Sequence, residues 1–162
     1  MKIKIFSVGG TIDKIYFDSL SEYQVGSPSV RDILDGLPIA FEYEIESLLR
    51  KDSLDMTDSD RQLVRQAVEK DPSHYILITH GTDTMIETGK ALIGIPGKCI
   101  ILTGAMEPAP FKSSDAVFNV GVAVGAVFSL ADGVYIAMNG RIFNPLKCRK
   151  NRELHTFEDM PD

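Results

Sequence analysis

Four short apolar runs constrain this chain more than any other feature: residues 3–8, 75–79, 99–103 and 134–138. Each has the length of a strand and is apolar at most positions, as expected when both sheet faces are covered. Helix-compatible stretches separate the last three. Strand–helix alternation of this kind builds a parallel sheet through right-handed crossovers, with helices on both faces. The expected fold is one α/β domain over residues 1–162, a doubly wound and mostly parallel sheet.

The intervening segments fill in the order. Residues 9–27 lack sustained periodicity and are too long for an ordinary βα connection, so a lid loop is expected there. Ser27-Pro28-Ser29 offers a cap and a first-turn proline for a short helix to Leu34, and Gly36 ends it. Phe41, Tyr43 and Ile45 alternate with Glu42, Glu44 and Glu46, which reads as a strand with one polar face. Thr57 with Asp60 forms a capping-box pattern, opening a helix to about Lys70 with Leu63, Val64, Ala67 and Val68 at helical spacing. Further helices are expected over residues 85–93 and 116–130, the latter opened by Ser114 or Asp115. Residues 139–162 are polar and leave room for short strands at most.

Several function classes are disfavoured at once. The net charge is −6 and no basic face is evident, so a nucleic-acid partner is not expected. No apolar run approaches the roughly 20 residues of a membrane span. The chain enters a strand pattern directly after Met1-Lys2 without a signal-peptide core, so a cytoplasmic location is the expectation. Cys99 and Cys148 make no redox or metal motif, and His74, His80 and His155 are not spaced as a metal pair. Gly9-Gly10-Thr11 is not the dinucleotide fingerprint, and neither a Walker lysine motif nor a Gly-x-Ser-x-Gly elbow occurs. No cofactor and no metal is called for.

Chemistry-bearing residues gather after two of the apolar runs. The first leads into Gly9-Gly10-Thr11-Ile12-Asp13, and the second into His80-Gly81-Thr82-Asp83-Thr84. Ligands of open α/β sheets bind beyond the carboxyl ends of strands, so the two clusters make one pocket if the strands are neighbours. Taken alone, each residue has a plainer reading. Thr11 serves as a turn hydroxyl, or as a nucleophile if a base takes its proton. Asp83 caps the following helix, or belongs to a site. Lys150 is a solvated surface lysine, or a proton shuttle buried beside Asp83.

Taken together, these stretches resemble a known family. Val8-Gly9-Gly10-Thr11-Ile12 is similar to the N-terminal signature of the bacterial-type L-asparaginases, and Thr79-His80-Gly81-Thr82-Asp83-Thr84 with Glu87-Thr88 to their second signature. Glu22-Tyr23-Gln24-Val25-Gly26, Ser53-Leu54-Asp55-Met56, Thr103-Gly104-Ala105-Met106-Glu107-Pro108, Ser114-Asp115 and Met138-Asn139 follow in family order. The resemblance implies a flavodoxin-like fold and hydrolysis of L-asparagine to L-aspartate and ammonia through an acyl-enzyme, L-glutamine being allowed as a minor substrate. It makes Thr11 the attacking hydroxyl and Tyr23 its lid partner. Thr82, Lys150 and Asp83 become a second hydroxyl–lysine–carboxylate constellation, with Lys147 the fallback for Lys150. Ser53 and Asp83 hold the α-groups of the substrate, and Gly10, Gly81 and Asp52 line it. Self-association as a dimer or tetramer is implied too.

Only the N-terminal domain of the family is matched. The expectation is therefore a short-chain asparaginase with a high Michaelis constant. The alternatives are a non-catalytic binder of a small amino acid and an inactive fragment of a two-domain enzyme.

Overall fold

The structure, a computed structural model, describes residues 1–161. Strand β1 (Lys2–Gly9) runs into a 3-10 turn at Thr11–Asp13 and a hairpin of β2 (Lys14–Phe17) and β3 (Glu22–Val25). Helix α1 (Val30–Asp35) and strand β4 (Glu42–Lys51) follow, then a second 3-10 turn at Ser53–Asp55 and helix α2 (Asp58–Lys70). The central units are β5 (Tyr75–Thr79), α3 (Met85–Leu92), β6 (Cys99–Thr103), α4 (Ala116–Ser129) and β7 (Gly133–Met138). Three short strands end the chain: β8 (Arg141–Phe143), β9 (Cys148–Asn151) and β10 (Thr156–Asp159).

The main sheet has the order β4-β1-β5-β6-β7-β8. All its pairings are parallel except that of β7 with β8. Counting only the parallel strands, the order is second, first, third, fourth, fifth, as in the flavodoxin-type doubly wound fold. The chain reverses its direction of winding between β1 and β5. That boundary is where a ligand crevice is expected.

Strand pleating divides the core into two layers. On one face Phe6, Val8, Ile76, Ile78, Ile100 and Leu102 pack with Val64 and Val68 of α2 and with Met85 and Leu92 of α3. On the other, Ile3, Ile5, Leu77 and Ile101 pack with Val30 and Leu34 of α1 and with Val120, Ala123 and Val127 of α4. Helices on both faces explain why the central strands carry buried apolar residues on both of their sides.

Three details depart from expectation. Residues 9–27 are not irregular, because Tyr16 opposes Tyr23 in the β2–β3 hairpin. Strand β4 extends to Lys51, since its pairing with β1 continues to Gly9 across a register shift. Ser29 occupies the cap position of α1 but its side chain caps nothing; its backbone N–H instead donates to Asp13 Oδ1 at 2.8 Å. The Thr57–Asp60 capping box forms as its spacing requires, with both reciprocal bonds present.

Candidate functional site

The two polar clusters meet backbone to backbone at the switch point. Gly10 has φ +87° and the neighbouring Gly81 lies so close that a Cβ on Gly10 would overlap the Gly81 Cα and N. A Cβ on Gly81 would in turn lie 2.6 Å from Ser53 Oγ. The loops after β1, β4 and β5 thus share one small volume only because two of their residues are glycines. Gly10→Ala adds both the left-handed strain and the overlap, and a loss of about 2–4 kcal/mol in unfolding free energy is expected from urea titration. Gly94→Ala is the control: it shares φ +87° but faces open space, so it is expected to lose only about 1 kcal/mol.

Thr11 opens the first 3-10 turn, half-buried, and among the described residues its hydroxyl has no hydrogen-bond partner. Ser53 is 2% exposed at the start of the second turn, where its Oγ accepts from Thr84 N–H at 3.3 Å and its carbonyl accepts from the Thr84 hydroxyl at 2.8 Å. These bonds fasten the loop after β4 to the N-terminus of α3.

On the other side of Gly81, Lys150 Nζ donates to Thr82 Oγ1 at 2.8 Å and to Asp83 Oδ1 at 2.9 Å. Arg152 Nε stands 3.5 Å from the same carboxylate oxygen. Asp83 does not cap α3, whose cap position is Thr84. Pleating puts Cys148 and Lys150 on one side of β9 and Arg149 on the other, where it pairs with Glu158 at 2.7 Å. Lys147 lies in the turn before β9, exposed and away from Thr82, beside Arg149, Glu158 and Asp159. The lysine at the site is therefore Lys150.

Asn139 tethers the strand that pairs with Lys150. With φ +54° at the end of β7, its Oδ1 accepts from Phe157 N–H at 2.8 Å, and Phe157 is the register partner of Lys150. The sequence marks Asn139 as part of a motif but gives no hint of this connection, which joins segments 18 residues apart.

Tyr23 stands on the hairpin, 49% exposed, its ring 5.4 Å from Tyr16 and 5.8 Å from Phe111. Among the described residues no hydrogen bond joins it to Thr11. Asp52 has partners within the chain: its Oδ1 accepts from Leu54 N–H, and its Oδ2 pairs with Lys14 Nζ at 2.9 Å. Partial burial opposes ionisation of Asp52, but the Lys14 ammonium and the Leu54 N–H prevail and hold its carboxyl below the ordinary range. The ion pair ties the base of the hairpin to the Ser53 turn.

Two members of the polar clusters, Asp13 and His80, are buried beneath the site, which their sequence context does not indicate. Asp13 is 1% exposed and accepts from Ser7 Oγ at 2.9 Å and Ser29 N–H at 2.8 Å, so it holds the Thr11 turn against β1 and α1. Burial raises its carboxyl to about 6, against these two bonds and the Arg50 charge. His80 is wholly buried, which lowers its imidazole to about 4 against the Gly81 carbonyl bond and with the Arg61 charge.

The two shifts oppose one another in acid. Between pH 6 and 3.8 the folded state takes up a proton at Asp13 that the unfolded chain does not, which favours folding as pH falls. Between pH 6.5 and 4 the unfolded chain takes up a proton at His80 that the folded state does not, which disfavours it. Each contributes about 1.4 kcal/mol per pH unit, so the two nearly cancel across their common window. Asp13→Asn leaves the His80 slope alone. From pH 6 to 4.5 the variant is expected to lose about 2 kcal/mol more than the parent in urea unfolding; parallel pH curves would contradict this.

Concavity by itself does not single out this place. A hollow of about 470 Å³ between β4 and α2 is lined by Phe6, Glu46 and Asp71, and both carboxylates are already paired with the buried Lys4. Near the site, a hollow of about 430 Å³ is lined by Met106, Glu107, Asp115 and Asn139, and one of about 360 Å³ by Asp83, Lys150 and Arg152. Asp115 shapes the former by accepting from Met106 N–H at 3.0 Å and Glu107 N–H at 3.2 Å. Among the described residues, no three His, Cys, Asp or Glu side chains gather where a metal ion could be held.

Comparison with known proteins matches nearly the whole chain. Residues 2–160 match the family model described as asparaginase, N-terminal. A probable periplasmic L-asparaginase of Haemophilus influenzae is 33% identical over 153 residues, which is 86% of this chain and 43% of that protein. The thermostable L-asparaginase of Thermococcus kodakarensis superposes with TM-score 0.85 at 25% identity, covering 98% of this chain and 51% of that one. A probable cytoplasmic L-asparaginase of Campylobacter jejuni gives TM-score 0.76 at 28% identity, with the same coverage. The chain thus spans about half the length of the relatives it matches.

Proposed function

Because the chain belongs to the asparaginase family, we propose that it hydrolyses L-asparagine to L-aspartate and ammonia, with Thr11 as nucleophile. The observation that carries this reading is the convergence at the β1/β5 switch point. One unpaired threonine hydroxyl lies on one side of the Gly10–Gly81 contact, and a threonine bonded to a lysine lies on the other.

Two displacements account for the chemistry. Thr11 Oγ1 bonds to the side-chain amide carbon, the C–N bond breaks, and the hydroxyl proton ends on the departing ammonia. Water then attacks the acyl ester, the bond to Thr11 breaks, and Thr11 regains a proton as aspartate leaves. Lys150 Nζ, donating to Thr82 Oγ1, is placed to pass protons through that hydroxyl in either step. Asp83, held by Lys150 and flanked by Arg152, keeps an oxygen for the substrate's α-amino group, and Ser53 lies near for its carboxylate. Tyr23 is the lid partner of Thr11 in this reading, carried on the exposed hairpin that serves as the lid. L-Glutamine is a weaker substrate, since one methylene changes binding by about 1–3 kcal/mol.

The same reading places the protein in the cytoplasm, as the name of the Campylobacter relative suggests, and no helix among the described residues is long and apolar enough to cross a membrane. It also has the chain self-associate. Val117 and Phe118 on α4, 51% and 60% exposed, offer apolar surface for this.

The test is ammonia release from L-asparagine by the chain as it stands, with L-glutamine alongside and thermal stability followed with L-aspartate. Turnover of asparagine is the expected result. No turnover, with L-aspartate still raising the melting temperature, would replace the enzyme by a binder of small amino acids.

A further inference from the structure

The mechanism above uses neither ring nitrogen of His80, yet both are committed. His80 Nδ1 lies 2.7 Å from the Gly81 carbonyl oxygen, and Nε2 lies 2.7 Å from Thr88 Oγ1. A carbonyl oxygen only accepts, so Nδ1 carries the hydrogen. Nε2 is then bare and accepts from the Thr88 hydroxyl, which fixes one neutral tautomer. Thr88 is itself fully buried on α3, one turn inside the helix that the loop enters. The His80 backbone is held as well, its N–H donating to the Thr103 carbonyl of β6 at 2.9 Å. The charged group that faces the ring is Arg61 of α2.

Holding the Gly81 carbonyl has a consequence one atom away. The peptide joining Gly81 to Thr82 is planar and trans, so its C=O and N–H point in opposite directions. With the oxygen drawn to the buried imidazole, the Thr82 N–H is turned away from the core. Among the described residues no protein group accepts from that N–H. Gly81 also abuts Gly10 and Ser53, so this peptide stands at the meeting point of the three loops.

We infer that His80 is a positioning residue, which locks the Gly81–Thr82 peptide so that the Thr82 N–H donates to the oxygen of the amide attacked by Thr11. This rests on the hydrolytic reading above. A donor aimed in advance at a developing oxyanion is worth about 10²–10³ in kcat, and misdirecting it forfeits part of that. The ring acts through the peptide and touches no substrate. Thr88 acts one step further back, by donating to the bare Nε2 and so holding the ring in place.

Two substitutions separate aim from mere packing. In His80→Asn the amide nitrogen takes the place of Nδ1 and keeps the bond to the Gly81 carbonyl, while His80→Gln reaches toward Thr88 and leaves that carbonyl free. Both leave a smaller side chain in the same core, so melting temperatures fall in both. For His80→Gln the expected kcat loss is about 30-fold or more with KM changed by less than about 3-fold, and His80→Asn recovers most of it. Equal kcat losses in the two folded variants would overturn the inference.

A second readout needs no turnover: ¹⁵N spectra of the imidazole and of the Thr82 amide. The parent should show the neutral Nδ1–H tautomer from pH 8 to 5, and the Thr82 amide signal should move in His80→Gln but hold in His80→Asn. An Nε2–H tautomer, or a Thr82 signal indifferent to both variants, would sink the proposal. If the parent releases no ammonia, the hydrolytic reading fails on that result alone, while the spectra still decide whether His80 sets the peptide.

Discussion

Thr11→Ala is expected to lower asparagine turnover by at least about 10⁴-fold, because removal of a nucleophile removes the covalent route and not merely a contact. Ammonia release measures it directly. Little else should change. The Thr11 hydroxyl makes no hydrogen bond among the described residues, and the turn is held from below by Asp13 and from the side by the Gly10–Gly81 contact. Unfolding stability should therefore stay within about 1 kcal/mol of the parent. Stabilisation by L-aspartate should persist, since Ser53, Thr82 and Asp83 remain in place. Activity above one-tenth of the parent would mean that Thr11 is only a turn hydroxyl.

Lys150→Met is the second large effect. Among the described residues Lys150 is the one side chain bonded at once to Thr82 and Asp83, and methionine keeps its length while deleting the proton-bearing nitrogen. Loss of a positioned acid–base group costs about 10²–10⁴ in kcat. Asp83 would keep Arg152 at 3.5 Å as a partner, so the stability loss should be about 1–2 kcal/mol. Lys147→Met provides the contrast. Its side chain lies on the outer side of the turn before β9 and should leave kcat within about 3-fold of the parent. The reverse pattern, with Lys147 needed and Lys150 dispensable, would move the site.

How much of this was legible in the sequence depends on how local the determining forces are. Strands β1, β5, β6 and β7 were readable because burial on both faces leaves a mostly apolar run, and α2 because Thr57 and Asp60 cap it within four residues. The meeting of Gly10 with Gly81 was readable as topology, since a parallel sheet brings strand ends together. The β2–β3 hairpin was missed because its residues are exposed on both sides: Ile15, Tyr16, Phe17 and Tyr23 are each more than 40% exposed, which erases the alternation that marks a strand.

Lys150 could be reached from the sequence only by resemblance, because its position follows from register with Phe157 and from Asn139, neither of which is a neighbour in the chain. Asp13 and His80 were hidden for another reason. Their weight comes from being buried, and a polar residue beside a motif gives no sign of whether water reaches it.

The measurement that tests the central claim most directly is peptide mapping of the protein quenched in acid during turnover of L-asparagine. The account predicts an aspartyl ester on the peptide carrying Thr11, none on the peptide carrying Thr82, and none anywhere in Thr11→Ala. An ester on the Thr82 peptide, or sustained ammonia release by a Thr11→Ala protein, would contradict it.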